Sequence, residues 1–305
     1  MNNNFEINYI DRLSKKEVTE QTPAGLQMYF LYTTTLGKFL LNNLISKKLT
    51  QIILGLFMDS RLSKKNIKPF VKEHDINMNE SLKEIDEFYS FNDFFARKLK
   101  NDSRMIEANL FGISSPADGK ITVFDNVDES MSFYIKNHKL NLNAFLQKKE
   151  IYTKFKNASM AIIRLAPVDY HRFHFPLEGH LKKIIKLKGL YFSVSPIALK
   201  NKKFIFEQNY RHISLIENKT IGDYAMIEIG ATFVGTIVQT CQEITDVSKG
   251  DEKGYFKFGG STVVLLFNKN SVIFDPDLRN NTKNGFETSV KMGERIAFIY
   301  NKSID

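Results

Sequence analysis

The sequence predicts an α+β protein in which an N-terminal helical region packs on a predominantly antiparallel β core. Three observations carry that prediction. Over residues 1–110 apolar side chains recur at helical spacing. From residue 111 onward they gather into short runs broken by Gly, Pro and Asn. Nor do helices of about 10–15 residues alternate regularly with those runs, as a doubly wound parallel sheet requires. The division expected is therefore residues 1–110, a helical region, and residues 111–305, a β-rich core.

Taken in order, Leu36, Phe39, Leu40, Leu44 and Ile45 form one apolar stripe, followed by Ile52, Ile53, Leu56 and Phe57. Between residues 38 and 68 the cations Lys38, Lys47, Lys48, Arg61, Lys64, Lys65 and Lys68 face Asp59 alone. Such a segment suits a helical face lying on an anionic bilayer, and equally an ordinary surface-exposed helical subdomain. Two capping boxes follow, Ser81–Glu84 and a looser Ser90–Asp93. The second starts a short helix, FNDFFARKL, whose Phe91, Phe94, Phe95 and Leu99 share a side and are expected in the core. Strands are expected at 121–124, 160–165, 181–188, 225–229, 233–239 and 262–267.

Composition narrows the class. With 43% hydrophobic and 25% charged residues, 7 Pro and 16 Gly, the 305-residue chain is neither disordered nor collagen-like. Its 26 Phe and absence of Trp predict a Phe-rich core. A single cysteine, Cys241, excludes an intrachain disulfide and a multi-cysteine zinc site. The net charge of +9 favours anionic partners. Nucleic acid is not expected among them, for no helix-turn-helix, zinc-finger or RNP-type signature is present. The opening residues are polar and carry Glu6 and Asp11, unlike a signal or transit peptide. Nowhere do about 18 apolar residues run together, so a soluble or peripheral protein is expected.

Three segments carry residues able to do chemistry. In SPADGKI (115–121), Asp118 sits on a turn entering a strand. It serves either as a turn residue bonding its own backbone or as a carboxylate that orients a histidine. In RLAPVDYHRFHFP (164–176), His171 and His174 are three apart. They read as structural histidines or as acid–base groups, and with Asp169 and His180 they sketch a weak metal pattern that lacks the HExxH spacing. In KFGGSTVVLLF (257–267), Gly259 and Gly260 precede Ser261 and an apolar strand. A plain β-turn is one reading. A nucleophile elbow is disfavoured because Val263 stands where GxSxG needs glycine. A third reading uses the missing Cβ of Gly260: strained backbone there lets Ser261 Oγ attack the preceding carbonyl, turning the amide into an ester.

Together these segments resemble the phosphatidylserine decarboxylases, self-processing pyruvoyl enzymes. The resemblance runs from FNDFFARKL near 91 to VKMGERIA at 290–297. Its specific parts are SPADG, PVDYHRFHFP, YFSVSP (191–196), EIGATFVGTI (228–237) and FKFGGST (256–262). Bacterial members commonly carry LGS at the cut; this chain has Gly259-Gly260-Ser261, a form also found in the family. The resemblance implies an Asp118–His174–Ser261 processing triad, with Asp118 orienting His174 and His174 deprotonating Ser261. It implies cleavage between Gly260 and Ser261 into a β chain, 1–260, and an α chain, 261–305, that stay together as a heterodimer and associate further in some cases. Ser261 becomes a covalent pyruvoyl group, the Schiff-base site for the substrate amine, so neither a metal nor a diffusible cofactor is needed. His171 is assigned to the decarboxylation step. The substrate implied is phosphatidylserine in an anionic membrane, reached from the cytoplasmic face of a bacterial cell. The rival expectation is a serine hydrolase that uses Asp118, His174 and Ser261 without self-cleavage.

Overall fold

The computed structural model describes residues 7–20, 25–127, 132–133, 138–232 and 236–300. Its frame is a ten-stranded sheet. Side by side lie Thr245–Val247, Gly179–Leu187, Arg211–Asn218, Gly222–Gly230, Ser261–Phe267, Ala158–Leu165, Gly119–Val127, Glu287–Val290, Ile7–Ile10 and Glu17–Glu20. Every neighbouring pair is antiparallel except Ile7–Ile10 with Glu287–Val290. The antiparallel β core of the sequence reading is present, and α+β describes the fold.

The central strands explain themselves. Side chains alternate between the faces of a strand, so a strand buried on both faces reads as an unbroken apolar run. In VVLLF, Val264 and Leu266 pack with Ile162, Ile227 and Ile229 on one face. Val263, Leu265 and Phe267 pack with Ile163, Leu165, Phe173 and Phe256 on the other. Helices Gly25–Thr33, Leu142–Leu146, Pro196–Asn201 and Ile205–Gln208 cover the first face with Met28, Phe145, Leu199 and Phe206. Two three-stranded sheets cover the second. One joins Ile237–Gln239, Glu252–Phe256 and Arg172–His174; the other joins Val272–Phe274, Arg295–Ile299 and Gly112–Ser114. A smaller core holds Ile67, Phe88, Phe91, Phe94 and Phe95, with Phe258 packed against it.

Two expectations need correction. The N-terminal region is not helical throughout, since Ile7–Ile10 and Glu17–Glu20 form the last two strands of the main sheet. They are held there by charge: Arg164 bonds both Glu20 (2.6 Å) and Glu287 (2.6 Å), a pattern that hydrophobic periodicity does not register. Ser81 starts no helix. Its hydroxyl bonds the Lys83 carbonyl, and the capping box forms instead between Glu84 and Glu87. Of the strand expected at 233–239, Ile237–Gln239 is present, and residues 233–235 lie outside the described residues. Ser90 does cap Phe91–Phe95, accepting from the Asp93 N–H at 3.2 Å.

The apolar stripe is not buried. Leu36, Phe39, Leu44, Ile52, Ile53, Leu56 and Phe57 are all exposed, Leu56 at 68%. Among the described residues no helix is long and apolar enough to cross a membrane. Core and stripe therefore differ in what a truncation costs. Leu265→Ala, at a site with no exposure, is expected to lower stability by about 2–5 kcal/mol. Leu56→Ala is expected to change it by less than about 0.5 kcal/mol. Chemical denaturation of both variants checks this, and equal losses would place the stripe in the core.

Candidate active site

The segment leading to Ser261 is fixed residue by residue. The Lys257 N–H donates to the Thr236 carbonyl (3.1 Å), and its ammonium reaches Asp59 (2.7 Å). The Phe258 N–H donates to Asn92 Oδ1 (2.8 Å), while Asn92 in turn donates to Asp59 (2.9 Å). The Phe258 ring meets Phe91 and Phe95 edge-on, centroids 5.0 and 5.2 Å away. Gly259 has φ +145°, a conformation that L side chains rarely adopt. Gly260 has no such φ, and a Cβ added to it would meet Val194 at 3.4 Å and Ala231 at 3.7 Å, ordinary contacts. The position that demands glycine is therefore Gly259, not Gly260 as expected.

Ser261 opens the central strand, opposite Gly230 on one neighbour and Leu165 on the other. It is fully buried and its Oγ has no hydrogen-bond partner. A buried hydroxyl left so costs about 1–3 kcal/mol, and it is free to turn toward a base.

His171 is the second such group. Its Nδ1 lies 2.9 Å from the Asp169 carbonyl, which can only accept, so Nδ1 carries the proton and Nε2 the lone pair. That Nε2 is buried and unpartnered. The Phe95 ring lies 4.0 Å away, and the His171 carbonyl accepts from the Phe256 N–H at 2.9 Å. Phe95 thus touches both the imidazole and the Phe258 segment. Burial pushes the His171 pKa down to about 4, against the opposing Asp169 hydrogen bond, so the ring is a neutral base at pH 7.

His174 is also buried and its pKa is lowered, chiefly by desolvation. Both its nitrogens are engaged, Nδ1 with the Gly250 carbonyl (3.0 Å) and Nε2 with the Tyr170 hydroxyl (3.3 Å). Asp118 is held elsewhere. It accepts from Arg104 Nε (2.9 Å) and Nη2 (2.5 Å) and from the Met292 N–H (2.8 Å). The Asp118–His174 contact expected of a triad is therefore not made. A bidentate guanidinium claims the carboxylate and a main-chain carbonyl claims the imidazole proton. Neither Arg104 nor Tyr170 was singled out by the sequence. Arg104 sits in an unremarkable polar stretch, and Tyr170 was visible only as a neighbour of His171.

His180 stays apart from the other two histidines, paired with Asp246 at 2.7 Å. Among the described residues no three His, Cys, Asp or Glu side chains gather in a metal-binding arrangement. A cavity of about 600 Å³ opens between the helix Lys48–Asp59 and the core, lined by Lys48, Ile52, Lys188, Tyr191, Tyr210 and Lys257. It borders the segment that leads to Ser261.

A family model described as phosphatidylserine decarboxylase matches residues 91–298, from the Phe91–Phe95 helix to the Arg295–Ile299 strand. The chain belongs to the phosphatidylserine decarboxylase family. The match takes in Asp118, His171, His174, Gly260 and Ser261. Curated relatives extend the similarity into the N-terminal helices. The phosphatidylserine decarboxylase proenzyme of Fusobacterium nucleatum is 44% identical over 96% of this chain and 98% of its own length. That of Clostridium kluyveri is 43% identical over 96% and 99%, and that of Clostridium tetani 43% over 95% and 97%. The chain is accordingly an enzyme of the decarboxylase class.

The buried His171 makes a pH prediction. An unfolded histidine titrates near 6.5, and the folded ring near 4. Between those values the unfolded chain binds more protons, so stability is fully present above about 6.5 and falls as the pH drops toward 4. His171→Gln is expected to flatten that part of the curve, as denaturation midpoints at several pH values will show. An unchanged slope would mean that His171 is not held neutral.

Proposed function

We propose that the chain is a proenzyme that cuts itself between Gly260 and Ser261 and then decarboxylates phosphatidylserine to phosphatidylethanolamine and carbon dioxide. The observation that carries this reading is the buried, unpartnered Ser261 Oγ, one residue beyond a peptide that begins at a left-handed glycine. Ser261 Oγ attacks the Gly260 carbonyl carbon, and the C–N bond breaks as the C–O bond forms. Loss of the Ser261 α-proton then expels the Gly260 carboxylate. The dehydroalanine left behind takes up water, releases ammonia and leaves a pyruvoyl group as residue 261.

His174 is the base in this proposal. It needs to exchange the Tyr170 hydroxyl for that of Ser261, while the charge of Asp118 favours its protonated form without contact. The pyruvoyl carbonyl supplies the electron sink that decarboxylation of an amino acid requires. Two observations support it: Ser261 is buried from water, and His171 keeps a buried, unpartnered Nε2 that is free to move a proton. After the cut, residues 261–305 stay in place because Ser261–Phe267 is paired on both edges and wholly buried.

The exposed apolar stripe and its lysines form the surface proposed to dock on an anionic bilayer, on the cytoplasmic side of the cell membrane. The cavity beneath the helix Lys48–Asp59 is lined by Ile52 and Leu56 of that surface and by Lys257 of the segment that leads to Ser261.

Intact mass under denaturing conditions is expected to give two chains split after Gly260, the smaller blocked by pyruvoyl. Ser261→Ala is expected to give one chain near 35.2 kDa and no activity. An uncut, active wild type would mean hydrolase-like chemistry instead. His174→Ala should slow the cut, whereas His171→Ala should be cut normally yet lose about 100-fold or more in turnover, within the range of a lost acid–base group. Loss of both steps in a folded His171→Ala protein would end that division of labour. For the membrane surface, Ile53→Glu with Leu56→Glu is expected to abolish sedimentation with anionic vesicles, and unchanged sedimentation would discard it.

A further inference from the structure

Arg97 lies just past the Phe91–Phe95 helix and is only 7% exposed. The other deeply placed arginines are satisfied. Arg104 holds Asp118 and Glu80, Arg164 holds Glu20 and Glu287, and Arg211 donates to main-chain carbonyls of Phe145, Glu207 and Asn209. The Arg97 guanidinium makes no hydrogen bond and no ion pair among the described residues; its one close partner is the Phe94 ring, 5.1 Å from Cζ. Its nitrogens are not among the sealed, unpartnered atoms of the interior, so they still touch solvent. A cation so largely withdrawn from water and without a carboxylate partner is costly, and an arriving anion would offset that cost.

Its position says where. Phe95, two residues earlier, touches both His171 and Phe258. The Ala96 carbonyl, one residue earlier, accepts from Arg172 Nε at 2.9 Å, which straps this turn to the strand carrying His174. Asp118, Glu80 and Tyr170 lie within electrostatic reach of Arg97, but both carboxylates are already occupied by Arg104.

We infer that Arg97 is the anion-binding residue of this site and takes the phosphate oxyanion of the substrate headgroup. This rests on the decarboxylase reading above. The headgroup of phosphatidylserine offers two anions, and the chemistry chooses between them. A guanidinium on the carboxylate would stabilise a charge that leaves with carbon dioxide, which raises the barrier. The phosphodiester keeps its charge throughout, and its paired oxygens match the guanidinium fork. Binding there is uniform along the reaction, so it lowers KM and leaves kcat alone.

The test uses the processed enzyme with Arg97→Met and Arg97→Lys. Both are expected to cut themselves normally and to melt no lower than wild type, since an uncompensated buried cation is being removed or kept. KM for phosphatidylserine and for soluble glycerophosphoserine should rise at least about tenfold in Arg97→Met, less in Arg97→Lys, with kcat nearly unchanged. Thermal shift gives a readout apart from activity: glycerophosphoserine should stabilise wild type and not Arg97→Met. A stronger shift from glycerophosphoserine than from inorganic phosphate identifies the headgroup as the anion's source, and an equal shift identifies free phosphate. An unchanged KM, or a fall in kcat alone, overturns the assignment, as does a melting temperature lowered by several degrees. If wild type does not decarboxylate but glycerophosphoserine still stabilises it through Arg97, the anion site stands and the reaction reading fails.

Discussion

The site depends on one constraint: Ser261 is the first residue of a strand that is paired on both edges and buried on both faces. The ladder to Gly222–Gly230 and to Ala158–Leu165 leaves Ser261 no freedom to drift. On its other side, Phe258 is pinned by Asn92 and wedged among Phe91 and Phe95, and Lys257 is tied to Asp59. Two residues, Gly259 and Gly260, are left to absorb the turn between these anchors. Fixing both ends this closely leaves the intervening peptide little conformational freedom, which is what the proposed intramolecular attack requires.

The same anchors tie residues before 110 to residues after it. Asp59, Asn92, Phe95 and Ala96 come from the N-terminal region, yet each bears on the Ser261 segment or on the histidine strand. Residues 7–20 extend the main sheet through a parallel pairing with Glu287–Val290. The helical region is therefore one wall of the site as well as the bearer of an exposed apolar stripe. Buried charges hold the remaining walls in register. Lys253, from the strand beside His171 and His174, pairs at 3.0 Å with Glu228 of the strand beside Ser261, and both are fully buried. Gln239 bridges the pair to His212, whose pKa burial holds near 3. Such a pair is expensive to break, since either partner alone would be an unpaired charge in the interior. Its geometry locks the small sheet over the large one.

Much of this was legible in the sequence, for definable reasons. Apolar runs such as 160–165 and 262–267 announce strands buried on both faces. The Ser90–Asp93 signature announces the helix that buttresses His171. What was not legible is what charge and register decide. The edge strands at 7–20 are held by Arg164 across long sequence separations. Ser81 had the spacing of a cap but no apolar helix behind it, and the box formed at Glu84 instead. A motif places Asp118 and His174 in one site without saying what each one touches. Arg104 lies fourteen residues upstream of Asp118 and captures it through geometry alone. Two adjacent glycines likewise look interchangeable until the backbone shows that the left-handed conformation falls on Gly259.

A site assembled this way explains why its two histidines differ although both are buried and lie at the two ends of one short strand. His171 hands its Nδ1 proton to a carbonyl two residues back and keeps Nε2 bare. His174 spends both nitrogens, one on Gly250 and one on Tyr170, beside a carboxylate whose charge it feels but does not touch. Burial lowers the pKa of both rings, and their hydrogen bonding sets them apart. The ring with a bare nitrogen is ready to take a proton at once, whereas the engaged ring must first exchange a partner. The proposed cut and the proposed decarboxylation would draw on these two different bases in turn. Tyr170 is the partner that His174 has to release in that proposal.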